Sequence, residues 1–141
     1  MPHVDRHRLE ALEARLGATL PAAFIATLAT REPVGEGRVA FVTPTRMWDV
    51  RTTYRLDDAD DDREQLDALY DVVGDVMPPH TLPFASDSAD NFYLLTLWGP
   101  HAGEIVYWDH ERDLGDHHVE AVAPSIEAFY AGLAAVNEDD E

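Results

Sequence analysis

The chain has 141 residues, the length of one ordinary domain, and a domain of that size buries about two-thirds of the surface its unfolded chain exposes. It carries 28 Asp and Glu against 10 basic residues, all arginine, for a formal net charge of −18, and it has no cysteine. Such acidity disfavours direct binding to nucleic acid or anionic membrane, and the missing thiols exclude disulfides, cysteine catalysis and cysteine-held zinc or iron–sulfur sites.

Reading along the chain, a first helix is expected over residues 5–16. Asp5 stands at the cap, Val4 and Leu9 have staple spacing, and Leu9, Leu12 and Leu16 form one stripe before the stop at Gly17. Pro21 suits the first turn of a second helix over 22–30, which packs Phe24, Ile25 and Leu28. Residues 31–37 read as a loop, and 38–43 as a short strand ended by Pro44. Met47, Val50 and Tyr54 fit a helical stripe, so a short helix is expected over 45–56. Residues 57–62 hold five aspartates in six positions, a solvated turn feeding a helix whose Leu66, Leu69, Tyr70 and Val73 share one face. Asp62 and Gln65 have the spacing of a capping box.

The pattern then turns to β. A strand is expected over 82–85, a turn over 86–90, and a strand over 91–98 that is apolar on both faces. Phe92, Leu94 and Trp98 lie on one face, and Tyr93, Leu95 and Leu97 on the other. A loop over 99–103 returns the chain into a partner strand over 104–109. Strands apolar on both faces belong at a sheet centre with both sides covered. Residues 110–118 read as a polar loop, 118–122 as a last strand, and Pro124 with Ser125 opens a helix carrying Ile126, Phe129, Tyr130 and Leu133. The order is an α+β pattern, helices set against an antiparallel meander. The expected domain covers 1–136, with an acidic frayed tail at 137–141, and the core is expected to unite Phe92, Trp108 and Phe129. The first eight residues are polar and no run approaches the roughly 20 apolar residues of a membrane span, so a soluble cytoplasmic protein is expected.

Catalytic and metal motifs are weak. Ser86, Ser88 and Ser125 lack a nucleophile-elbow setting, and the glycines form no phosphate cradle. His110-Glu111 begins like a zinc-protease motif, but position 114 is leucine. Asp109, His110, Glu111, Asp113, Asp116, His117 and His118 are possible ligands without ligand spacing, and read better as the polar end of a hairpin. Asp87, Ser88, Asp90 and Asn91 lack the glycine and closing glutamate of a calcium loop, and read as a turn. No catalytic, metal or cofactor residue is assigned. Trp98 and Trp108 flank the hairpin, either as sheet packing or as an interface anchor.

Four segments carry a resemblance: LEARLGATLPAAFIATL (12–28), LPFASDSADNFYLLTL (82–97), GEIVYWDHE (103–111) and APSIEAFYAGL (123–133). Together they resemble the SUKH superfamily, which holds the fungal Smi/Knr cell-wall regulators and many bacterial immunity proteins. The matching positions are Leu16, Gly17, Leu20, Pro21, Pro83, Phe84, Ala85, Asp87, Asn91, Gly103, Trp108, Asp109, His110 and Glu111. Thr30, Arg31 and Glu32 replace the family's Asn-Gly-Gly, and Ser88, Ala89 and Asp90 stand where its turn usually has glycines. Those loops must take other backbone shapes.

The resemblance implies an immunity protein that neutralises a co-produced toxin, commonly a nuclease, with no catalytic residues. A nuclease site is basic, so an acidic protein can occupy it. The candidate partner-binding residues are Asp57, Asp58, Asp60, Asp61, Asp62, Glu64, Asp109, Glu111, Asp113 and Asp116. The alternatives are a regulatory scaffold of the Smi/Knr type and, more remotely, a metal-assisted hydrolase. The same acidity would also serve solubility alone or a saline host.

Overall fold

A computed structural model describes residues 4–30, 39–44, 47–57, 65–74, 77, 78, 80–89, 91–109 and 119–135. The elements are α1 (Arg6–Leu16), α2 (Ala22–Thr30), β1 (Val39–Val42), β2 (Met47–Val50), β3 (Thr52–Thr53) and α3 (Leu66–Val73). They continue with β4 (Thr81–Ser86), β5 (Phe92–Thr96), β6 (Ile105–Trp108), β7 (Val119–Ala123), α4 (Ile126–Ala131) and β8 (Leu133–Ala135). Strands β3 to β7 pair in chain order as a five-stranded antiparallel meander, and β2-β1-β8 form a second, three-stranded sheet. The fold is α+β, as the sequence pattern indicates.

Local chemistry sets the helix ends. Asp5 accepts the Arg8 N–H at 3.1 Å, and Gly17, at φ 67°, ends α1 by returning its N–H to Glu13 O. Ser125 caps α4 by accepting the Ala128 N–H at 3.0 Å. Gln65 does not take the place expected of it in a capping box: α3 starts at Leu66 with Gln65 in the cap position and without a side-chain cap bond, and Asp62 lies outside the described residues.

Two further expectations fail. Residues 45–56 do not form a helix; they supply β2 and β3. The stripe of Met47, Val50 and Tyr54 competed with a two-residue alternation, exposed Met47, buried Trp48, half-buried Asp49, buried Val50, and the alternation prevailed because it places Trp48 in the core. The last helix also stops short of Leu133. Gly132 ends it, and Leu133 enters β8 opposite Phe41. A Cβ on Gly132 would lie 2.5 Å from the Phe41 ring, so glycine is what lets the chain turn there against β1.

Pro83 sits inside β4 without breaking the sheet. The register shifts between Pro83 and Ala85, a bulge at Phe84, and β3 pairs only with Ala85 and Ser86, so no ladder donor is required of Pro83. The bulge leaves Phe84 wholly buried.

The sheet has two apolar layers. Tyr93, Leu95 and Ile105 face a large cluster built with Leu12, Phe24, Phe84, Phe129 and Trp48. Phe129 is its hub, 5.3 Å from Phe84 and 5.4 Å from both Phe41 and Tyr93, centroid to centroid. Leu94, Val106 and Trp108 face the other way, with Met77 and the half-buried Phe92. Phe92 stacks on Trp108 at 6.2 Å, but both lie across the sheet from Phe129, so the expected meeting of the three does not occur. A sheet covered on both sides has two cores, and strand parity assigns these rings to different ones.

Candidate protein-binding site

The acidic run begins from a clamped neck. The Asp57 N–H donates to Gln65 Oε1 at 3.0 Å, and Gln65 Nε2 donates to Asp57 Oδ1 at 2.6 Å. Arg55 Nε lies 3.1 Å from Asp57 Oδ2, and the Leu66 N–H donates to Arg55 O at 2.7 Å. Gln65 is fully buried, so this is a fixed junction where the two ends of the run meet at the start of α3. Asp57 therefore serves the fold through Arg55 and Gln65. Asp58, Asp60, Asp61, Asp62 and Glu64 lie outside the described residues, as do Glu111, Asp113 and Asp116.

Asp109 follows β6 at a different place. Thr52, Ser86, Phe92, Trp108 and Val119 form one row across the large sheet, so Asp109 leaves at the end where β4 turns into β5. Strand β3 runs away from that end before the chain reaches Asp57, and two strands separate it from β6, a lateral distance of about 14 Å. The two acidic stretches are not brought together at their described residues.

The turn at that end is fastened by a carboxylate. Asp87 is buried; its Oδ1 accepts the N–H groups of Ala89 and Asn91, each at 2.9 Å, and its Oδ2 accepts the Tyr107 hydroxyl at 2.5 Å. Asp49 Oδ2 holds the Ser88 N–H at 2.8 Å and hydroxyl at 2.6 Å. This is how the turn dispenses with glycine: a side-chain acceptor fixes it, and the sole non-glycine residue at positive φ among those described is His80, elsewhere. Burial, then the hydrogen bond donated to Asp87 and the charge of that carboxylate, push the Tyr107 phenol far above its ordinary value. The carboxylate is committed to the turn, in keeping with the reading of 87–91 as structural.

At the opposite end of the sheet, where Thr81 pairs with Thr96, lies a groove of about 270 Å³ between the C-terminal ends of α1 and α3. Met77 is buried in its lining, Leu16, Tyr70 and Leu97 are half-buried, and His80 and Trp98 are exposed. Trp98 is 70% exposed, whereas Trp48 and Trp108 are 6% and 2% exposed. The two tryptophans flanking the hairpin thus divide, Trp108 into the core and Trp98 to the surface. Trp98 is held at its base: the Leu97 N–H donates to His80 O at 2.8 Å, the Gly103 N–H donates to Thr96 O at 2.8 Å, and Gly99 turns at φ 88°. Its indole lies 5.8 Å from the His80 ring. Sequence reading did not find the groove. The signal available was Trp98 beside Gly99-Pro100, a tryptophan at a turn where β parity no longer applies.

A family model for SMI1 / KNR4 (SUKH-1) matches residues 3–132. The chain belongs to the SMI1/KNR4 family. No curated protein and no solved structure gives a match. Membership in SMI1/KNR4 makes this a protein of the immunity or Smi/Knr type, a family whose members are in general non-enzymatic and act by binding proteins. No described helix is long and apolar enough to cross a membrane.

Proposed function

We propose that this protein is an immunity protein that binds and neutralises a cationic bacterial toxin, of the nuclease class. The observation that carries the reading is the combination of family membership over 3–132 with a net charge of −18. A nuclease presents a basic cleft to phosphate, and an acidic protein competes for that cleft by long-range attraction and then by contact. The run at 57–64 is bounded in sequence by Asp57 and Gln65, which are joined by two hydrogen bonds. Asp109, at another end of the large sheet, is followed in sequence by Glu111, Asp113 and Asp116, which add to the same negative charge. The test is co-expression with the protein encoded by the adjacent gene. Restored host growth and a stable complex support the reading; a growth defect unrelieved by this protein, or an adjacent protein that it does not bind, refutes it.

A further inference from the structure

We infer that the groove at the C-terminal end of α3 receives an arginine side chain of the cationic partner, whose aliphatic stem lies on Met77 and Leu97 and whose guanidinium faces Trp98. This rests on the proposed function and names the contact surface for it. Three observations meet here. An indole left 70% in water, on a backbone tied by hydrogen bonds, is a pre-ordered contact that gains by being covered. The space beside it, about 270 Å³ and lined by Leu16, Met77 and Leu97 together with His80 and Thr81, fits one long side chain better than a whole helix or strand. The described lining holds no carboxylate, so the attraction for a cation is that of the whole chain, net charge −18, while the nearby Arg8 and Arg15 on α1 are engaged by Asp67 and Asp71 of α3 and Arg15 also lies 5.0 Å over the Tyr70 ring.

Arginine suits this lining on both counts, an apolar stem that covers hydrophobic surface and a planar head that stacks on tryptophan. Position supports the same face. Helix α3 spans about 12 Å and joins the clamped start of the acidic run to the groove, with Asp71 and Val72 exposed between them. The acidic run is anchored through Asp57 and Gln65 at one end of the helix, and the groove at the other end holds a side chain of the basic surface that the run attracts.

The experiment titrates the protein with the peptide acetyl-Gly-Arg-Leu-Arg-Gly-amide and with the same peptide carrying neutral citrulline for arginine. The readouts are tryptophan emission and methyl NMR shifts. We expect binding near 1 mM, shifts at Leu16, Met77 and Leu97, and affinity lower by about tenfold or more for the citrulline peptide and for Trp98→Ser. Trp98 is exposed, so the variant should keep the wild-type melting curve. No binding, equal binding of the two peptides, or shifts confined to other residues overturns the inference. With the adjacent-gene protein, an unchanged dissociation rate for Trp98→Ser overturns the groove and leaves the proposed function standing. Failure of the wild-type protein to bind that partner refutes the function, whatever the peptides do.

Discussion

Tyr107→Phe removes one hydroxyl and tests how the β4–β5 turn is held. That hydroxyl gives a 2.5 Å hydrogen bond to Oδ2 of Asp87, a buried carboxylate whose other oxygen already serves two backbone N–H groups. A hydrogen bond to a charged group contributes about 1.5–3 kcal/mol, and its loss leaves a buried oxygen undersupplied. Tyr107 is half-buried, so water recovers part of the loss, and about 2 kcal/mol is expected. For a chain of this size that lowers the thermal midpoint by about 6 °C. Calorimetry at pH 7 reads it directly. Alkaline pH gives a second readout. A phenol whose folded-state pKa is raised adds stability below its unfolded value of about 10, and that contribution is lost as the pH climbs beyond it. The gap between wild type and variant should therefore narrow above about pH 10, and the tyrosinate step at 295 nm that the variant lacks should lie above the ordinary tyrosine value. A midpoint within about 1 °C of wild type, or native titration of every tyrosine near the ordinary value, would refute the assigned role of Asp87.

Gln65→Leu should cost about 2 kcal/mol in urea unfolding, because it removes the amide that pairs with the Asp57 N–H and Oδ1 at the neck and leaves Arg55 on Oδ2; an unchanged midpoint would show that the junction holds without the amide. Phe129→Ala should cost about 4 kcal/mol, since its ring meets Phe41, Phe84 and Tyr93 at once, whereas an exposed Val72→Ser should stay within about 0.5 kcal/mol. Gly132→Ala should cost about 2 kcal/mol, because the new methyl meets a Phe41 ring already stacked on Phe129; a neutral result would mean that Phe41 can move aside.

Much of the fold was legible in the sequence because local chemistry and long-range packing agreed. Asp5 and Gly17 bracket α1, Ser125 opens α4, and Phe92–Thr96 of the doubly apolar 91–98 run occupies the centre of the large sheet, with Trp98 left outside the strand. Where the two disagreed, tertiary packing decided. The stripe through Met47 and Tyr54 yielded to burial of Trp48, and the helical spacing of Leu133 yielded to pairing with Phe41. Two core layers cannot be separated from sequence without the register, which is why Phe92 and Trp108 were grouped with Phe129. Of the site, the sequence showed charge but not geometry. It gave no sign that Asp57 is bound by Arg55 and Gln65, nor that Trp98 would border a groove with residues from α1 and α3.

The central claim is that a negative field brings a cationic protein to this surface. Stopped-flow association with the adjacent-gene protein, from about 0.05 to 0.5 M salt, tests it most directly. The association rate constant should fall by at least about tenfold across that range as the Debye length contracts. A rate constant unchanged by salt would contradict it.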